Sequence, residues 1–425
     1  MHYICKKTAT MPDNTLFNPF YTGIQIPDVF FCDREKETEE LISLIINGNN
    51  VVLKAKRRIG KSSLIFHIFN NDVITNRYNT LYVDIFGTKS LADFHVTLQN
   101  KLLSAPFAKT AKIKRDFETL VKGINISLGE FNPVTGGFAL PSIGTSPSQP
   151  PLLPMEDLFD FLENTKKPNI VVFDEFQQIQ YYPERMAAIL RSFTQKMNNT
   201  KFIFSGSSRH MLTVMFQMAN QPFYQSAESF ELSSLPLETY SQFCRRILSE
   251  YGRDISEDAI QFLYYLFSGE TAPMQETMNR VFSMVGTGNK ADINTIKDAL
   301  NTLLDSRDAS FREILNRIER ENVRNTLFCV AAMGIADNLT SAKVVKYYHL
   351  NSASSVQKSL LVLQDEKSPL IRKISKGTYV LEDRLFELWI AREGNYLDYK
   401  YATAYNRFLK QEELENPSFH PTEPQ

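Results

Sequence analysis

The segment Lys54–Leu64 reads KAKRRIGKSSL and follows directly on the run Asn50-Val51-Val52-Leu53. A short buried strand, a turn, and then Gly-Lys-Ser at a helix start is the layout of a phosphate-binding loop. Backbone N–H groups of such a turn converge with the N-terminus of the next helix, whose dipole favours an anion there. In that layout Lys61 reaches the β- and γ-phosphates of a nucleoside triphosphate, and the Ser62 hydroxyl ligates Mg²⁺. Lys56, Arg57, Arg58, Ile59, Gly60 and Ser63 complete the candidate cradle. The three cations among them add charge near Lys61, although solvated side chains are the plainer reading of each. The consensus G-x-x-x-x-G-K-[ST] is broken at its first glycine, which is Ala55 here. That exchange is mild where the backbone φ is negative and costly where it is positive. Gly-Lys-Ser at a helix start also suits a plain capped helix, so the reading needs a second site.

Asn169–Ile179, NIVVFDEFQQI, supplies one. A continuous apolar strand is buried on both faces, as in a parallel sheet covered by helices. Its C-terminal end carries Asp174 and Glu175, and α/β sheets bind ligands at that edge. Asp174 is placed to orient Mg²⁺ and Glu175 to polarise the attacking water. Acidic residues cap many strand ends, so this pair gains its meaning from the Gly-Lys-Ser turn. A third strand, Lys201–Phe204, runs into Ser205-Gly206-Ser207-Ser208-Arg209. One of the three serines could sense the γ-phosphate, and Arg209 could bring charge to the transition state. An ordinary Gly/Ser turn followed by a solvated arginine is the alternative.

With these pieces in place the chain resembles the archaeal-type ATPases of the STAND/AAA-related P-loop class. The matching segments, in order, are FFCDREKETEEL (Phe30–Leu41), KAKRRIGKSSL, VVFDEFQQI, FIFSGSSRHM (Phe202–Met211) and SGETAPMQ (Ser268–Gln275). The resemblance spans about Val29 to Val281. The resemblance implies an Arg-Glu motif before the loop, with Arg34 at the nucleotide pocket, and a lid segment whose Pro273 lies near adenine. It also implies a C-terminal winged helix, with ATP and Mg²⁺ as cofactors. Two departures are Ala55 and a longer Gly-to-Pro spacing in GETAPMQ.

The α, β alternation predicts an α/β fold built on a P-loop parallel sheet; the helical pattern after Leu237 suits the helical lid that the resemblance implies, and the C-terminal part reads as a winged-helix domain. The expected organisation is a lead-in over 1–27, an ATPase core over 28–235 and a lid over 236–305. A winged helix over 306–400 and a polar tail over 401–425 follow. Within the core, Thr80–Ile85 reads as a strand, and 123–154 is a Gly/Pro/Ser-rich insertion with a short hairpin expected near Ile124–Leu128. Ser229–Leu235 reads as the last core strand. Phe311–Met333 reads as one long helix, and Ser341–Tyr348 with Ser352–Gln364 as a helix–turn–helix. Leu370–Leu381 reads as a two-stranded wing, and Trp389 as core. The second helix offers Gln357 and Lys358, and the wing Arg372, Lys373 and Lys376. DNA and a protein surface fit that module equally well.

Composition bounds the setting. A length of 425 residues suggests two to four domains. A net charge of −1 predicts no global attraction to nucleic acid or anionic membrane. Cys5, Cys32, Cys244 and Cys329 have no metal-ligand spacing and point to a reducing cytoplasm. No apolar run is long enough for a membrane span, and Met1–Asp13 lacks the apolar core of a signal peptide. Self-association is an open expectation.

A GTPase reading fails on spacing. Asp84–Gly87 matches D-x-x-G and Asn289–Asp292 matches N-K-x-D, but they lie about 200 residues apart and leave VVFDE unused. The expected function is an ATP-binding, ATP-hydrolysing molecular switch coupled to the winged helix. The alternative is a DNA-binding regulator or adaptor whose nucleotide site is mainly structural.

Overall fold

The computed structural model describes residues 18–109, 131–132, 137–138, 153–365 and 369–415. The hairpin expected near Ile124–Leu128 lies outside them. The chain divides into two compact units, Arg34–Ser233 and the pair of segments Met1–Asp33 and Ser234–Gln425. Among the described residues no helix is long and apolar enough to cross a membrane.

The first unit is built on a five-stranded sheet of β1 (Val51–Ala55), β2 (Asn79–Asp84), β3 (Asn169–Asp174), β4 (Thr200–Gly206) and β5 (Glu228–Leu232). Every pairing is parallel, and the order across the sheet is β2-β3-β4-β1-β5. All residues of β1 and β3 are buried, which is why Val51–Leu53 and Ile170–Phe173 read as apolar runs rather than alternating ones. β4 separates the loop strand β1 from the acidic strand β3. Its end therefore faces both halves of the candidate site.

An aromatic layer fixes the C-terminal edge of β3. Phe173 and Phe176 flank the acidic pair and are fully buried. Phe176 packs on Phe204 with ring centroids 4.6 Å apart and edge-on to Phe223 at 5.3 Å. Side chains this large on both sides of Asp174 and Glu175 leave the intervening backbone little room to shift. At the sheet's opposite edge Asn169 donates to the Leu162 carbonyl at 2.6 Å and to Thr165 Oγ1 at 2.7 Å, locking the start of β3 to the preceding helix.

The second unit is helical, with a small wing. Helices Leu237–Glu250, Glu257–Phe267, Thr271–Met284 and Ile293–Asn316 are followed by Glu321–Met333, Ala342–Tyr347 and Ala353–Leu363. The wing is antiparallel, β6 (Ile371–Ser375) with β7 (Thr378–Leu381), and Gly377 turns it at φ +78°. Helices Arg384–Glu393, Leu397–Ala402 and Ala404–Glu415 close the unit. Trp389 is buried, with its ring 5.9 Å from Phe386 and 5.8 Å from Phe311.

One sequence expectation is corrected here. Phe311–Met333 is not one helix: Ile293–Asn316 ends in its middle and Glu321–Met333 starts afresh. No glycine or proline marks the break at 317–320. It is held by Arg324, whose guanidinium donates to the Ile318 carbonyl at 2.8 Å. The expected polar tail also contains the helix Ala404–Glu415, which packs on Glu257–Phe267. Tyr405 packs edge-on and Phe408 tilted against Tyr265, with centroids 4.8 and 5.1 Å away, and two aromatics on a short helix are too sparse a pattern to read from sequence.

Candidate functional site

The loop leaves β1 at Ala55, which is buried and extended and pairs with Leu232 of β5. Ala55 is not among the residues with positive φ, so the missing glycine costs no backbone strain. The left-handed positions fall further along, at Arg58 (φ 63°) and Gly60 (φ 88°). Gly60 is the N-cap of helix Lys61–Asn70, and no atom lies within 4 Å of where a Cβ would sit. Its glycine is demanded by the backbone angle rather than by crowding. Ile59 is buried, while Lys56, Ser62 and Ser63 are half-buried around the turn.

Helix Lys61–Asn70 buries Leu64, Ile65, Ile68 and Phe69, and this packing aims its first turn at the end of β3. Lys61 is 8% exposed and its ammonium pairs with Asp174 Oδ1. It also donates to Ser205 Oγ at 3.0 Å and lies 3.6 Å from Glu175 Oε1. Ser62 Oγ is 3.2 Å from Asp174 Oδ2. Ser205 donates to Asp174 Oδ1 at 2.8 Å. Burial alone would raise the Asp174 carboxyl, but Lys61, with hydrogen bonds from Tyr82 and Ser205, holds it below the usual carboxylate value.

Glu175 sits one residue on, in the left-handed region at φ 56°. A non-glycine residue there costs about 1 kcal/mol. The conformation is held by the Glu175 N–H donating to Asp174 Oδ1 at 2.9 Å and the Glu175 carbonyl accepting from Gln178 N at 2.9 Å. Two donors then fix the side chain, Gln177 Nε2 at 2.5 Å and Ser207 Oγ at 2.8 Å, both to Oε2. Ser207 Oγ also accepts from Arg57 Nε at 3.3 Å. A Cβ on Gly206 would meet the Gln177 amide oxygen, so any larger residue there would push the Gln177 side chain off its place beside Glu175. The three serines are thus separated in space: Ser205 belongs to Lys61 and Asp174, Ser207 to Glu175, and Ser208 caps helix Arg209–Gln217 without a side-chain bond.

Other candidate residues stand apart from this cluster. Arg209 pairs with Glu231 of β5 at 2.8 Å and is about one-third exposed. Arg34, 5% exposed, works on the loop's backbone: it donates to the Ile59 carbonyl at 3.2 Å and to the Ser233 carbonyl at 2.8 Å, and pairs with Glu37 at 2.7 Å. It ties the loop to the residues after β5. Pro273 is buried in the first turn of helix Thr271–Met284, in the other unit, and its carbonyl accepts from Thr277 Oγ1 at 2.8 Å. Of the wing cations, Arg372 is engaged by Glu415 at 2.7 Å and Glu382 at 3.5 Å.

Sequence reading missed two members of the site. Gln177 was legible as part of DEFQQ, but nothing marked which glutamine turns back onto Glu175. Tyr82 belongs to β2, whose Leu81 and Val83 face the core on the other side. Its hydroxyl hydrogen-bonds to Asp174 Oδ2 and lies 3.3 Å from Ser62 Oγ.

A family model described as a probable winged helix domain matches residues 309–392. No curated protein matches the chain. Among solved structures, the chain is similar to a Walker-type ATPase of Pyrococcus abyssi, with 19% identity and a TM-score of 0.58 over 88% of this chain and 99% of that one. It is also similar to the ORC2 protein of Aeropyrum pernix, at 15% identity and a TM-score of 0.47 over 91% and 98% of the two chains. For the RuvB Holliday junction branch migration motor of Thermotoga maritima the identity is 11% and the TM-score 0.41, over 89% and 99%. The first of these speaks to the fold, and the other two are too distant to carry an argument. The chain has the fold of a P-loop ATPase joined to a C-terminal winged helix.

Proposed function

We propose that this protein binds and hydrolyses ATP, and that it acts as a molecular switch of the STAND/AAA-like type whose output is the winged helix. The observation that carries the reading is the convergence of Lys61 and Ser62, from the first turn of one helix, with Asp174 and Glu175 at the end of β3. A buried lysine beside two carboxylates at a helix N-terminus matches the demands of a polyphosphate with its counter-ion.

The donor set fits Mg²⁺. Among the described residues no three His, Cys, Asp or Glu side chains cluster to form a metal cage. Mg²⁺ is held typically by one or two protein oxygens together with substrate phosphates, and Ser62 Oγ with Asp174 offers such a pair. When bound, the metal neutralises charge on the phosphates. In this reading Lys61 exchanges its carboxylate partner for the phosphates, and the N–H groups of Gly60, Lys61, Ser62 and Ser63 turn towards them. Glu175, fixed through Oε2 by Ser207 and Gln177, keeps Oε1 to take a proton from the attacking water. Arg209 reports on the γ-phosphate by leaving Glu231. An exposed ion pair of that kind is worth about 0–1 kcal/mol, so the exchange is cheap.

Glu175→Gln tests the base. It keeps the hydrogen bonding capacity of the side chain and removes the charge, so ATP affinity is expected to stay within about twofold while turnover falls about 100-fold or more. Normal hydrolysis by this variant shows that another group is the base.

A protein partner is the favoured target of the winged helix. On its second helix Leu361 and Val362 are 72% and 50% exposed, and Tyr347 of the preceding helix is 74% exposed. Apolar side chains at those positions suit a protein surface better than phosphates. Electrophoretic mobility shifts of the full chain with duplex DNA at 50 and 200 mM salt check this. The expected result is no retention at either salt. Binding that weakens log-linearly with salt supports the DNA-binding alternative.

A further inference from the structure

Asp174 is crowded with donors. Its Oδ1 accepts from Lys61, from Ser205 and from the Glu175 N–H, and its Oδ2 from Ser62 and Tyr82. Four of these five belong to the P-loop helix, to β4 or to the Asp-Glu turn itself. Tyr82 comes from β2, beside β3 in the sheet, where Tyr82 pairs in register with Val172. Strand alternation sends Leu81 and Val83 into the core on one face and Tyr82 to the other. There its ring packs on Phe66 of helix Lys61–Asn70, with centroids 4.9 Å apart. The ring is thereby wedged against the same helix that carries Ser62. Its hydroxyl ends between Ser62 Oγ and Asp174 Oδ2, the two oxygens that the ATPase reading gives to the metal.

A phenol in this position has one role open to it that a phenylalanine lacks. An ordinary phenol is protonated in the neutral range, so the hydroxyl acts there as a donor. A neutral donor on one carboxylate oxygen fixes the plane of the carboxylate and leaves the Ser62 hydroxyl free to turn its lone pairs elsewhere. We propose that Tyr82 is the positioning residue of the metal site: its hydroxyl orients Asp174 and Ser62 so that the pair accepts Mg²⁺ together with nucleotide.

The inference rests on the nucleotide-binding reading, and the experiment separates the two. Tyr82→Phe keeps the ring against Phe66 and deletes only the hydroxyl. ATP binding to wild type and Tyr82→Phe is titrated by calorimetry, first in EDTA and then over a range of Mg²⁺ and of Mn²⁺. The wild type is expected to bind more tightly with Mg²⁺ than in EDTA. In Tyr82→Phe the affinity in EDTA stays within about twofold of wild type, while the Mg²⁺ needed for half-maximal enhancement rises about tenfold or more. Mn²⁺, which takes the same oxygens with less strict geometry, restores part of the enhancement. Thermal melting without nucleotide controls for folding and is expected to be near wild type. An unchanged Mg²⁺ requirement in a folded Tyr82→Phe overturns the positioning role and leaves nucleotide binding standing. Absence of ATP binding by the wild type overturns both.

Discussion

Lys61→Ala is expected to abolish measurable ATP binding while leaving the protein folded. A charge-assisted hydrogen bond contributes about 1.5–3 kcal/mol, and a lysine engaging two phosphates makes two of them. Their loss corresponds to about 10²- to 10⁴-fold in affinity. The folded state survives because Asp174 keeps its other donors when the ammonium goes: Ser205 at 2.8 Å, Ser62 at 3.2 Å, the Glu175 N–H at 2.9 Å, and Tyr82. The carboxyl nevertheless loses the charge that offsets its burial, so it should titrate higher than in the wild type. Calorimetric titration with ATP in Mg²⁺ reads the first effect, and thermal melting reads the second. Retention of wild-type affinity in Lys61→Ala would remove the loop from the nucleotide site altogether.

Glu387→Ala is expected to destabilise the second unit by about 3–5 kcal/mol, because it strands two buried cations, Arg384 and Lys400, and a third, Arg407, that is largely buried. Glu387 is completely buried. Its carboxylate pairs with Arg384, with Lys400 at 3.1 Å and with Arg407 at 3.4 Å. The cations have further tasks. Arg384 Nε donates to the Leu266 carbonyl at 3.0 Å. Lys400 caps the end of helix Glu321–Met333, donating to the carbonyls of Ala331 and Ala332 at 2.5 and 3.0 Å. Gly334 follows at φ 74°, and a Cβ there would press on the Lys400 ammonium at 3.2 Å. One carboxylate thus neutralises groups from three helices at once. The sole tryptophan, Trp389, lies two residues away in the same unit, so urea unfolding followed by its fluorescence reports this unit directly. An unchanged midpoint would show that the cations find another counter-charge.

The same carboxyl sets a pH dependence. Burial would raise it, but Arg384, Arg407 and Lys400 pull it down to about 2 from an ordinary 4.5. Because the folded value is the lower one, the stabilisation is present above about pH 4.5 and is lost as pH falls through about 2. A displacement of that size is worth about 3 kcal/mol, in line with the mutational figure. The stability gap between wild type and Glu387→Gln should be flat above pH 4.5 and close on acidification.

Legibility in the sequence followed the range of the interactions involved. β1, the Gly-Lys-Ser turn and β3 were readable because each is specified by contiguous residues: apolar runs for the strands, a glycine at φ 88° for the turn. The wing was readable for the same reason, with Gly377 at its tip. What escaped depended on neighbours distant in the chain. Tyr82 could be assigned to the face of β2 opposite Leu81 by alternation alone, but not to Asp174, since nothing local says that β2 lies beside β3. The helix break at 317–320 has no glycine or proline and rests on Arg324 and on the separate packing of the two halves. The helix Ala404–Glu415 looked like a tail because its aromatic partners, Tyr264 and Tyr265, are far upstream.

Lys54–Leu64 and Asn169–Ile179 by themselves determined that this chain builds a loop, a helix N-terminus and an acidic strand end, because backbone angles and burial pattern are local properties. They left open whether Ala55 strains the loop backbone, which serine meets which acid, and which strand lies beside Asp174. The strand order β2-β3-β4-β1-β5 decided those points. It inserts Ser205 between Lys61 and Asp174 and brings Tyr82 alongside from the other flank. It also leaves Ala55 in an extended strand, where a methyl group costs nothing. Side chains from separate strands meet only through the pairing of the sheet, and that pairing is fixed by the packing of the whole core.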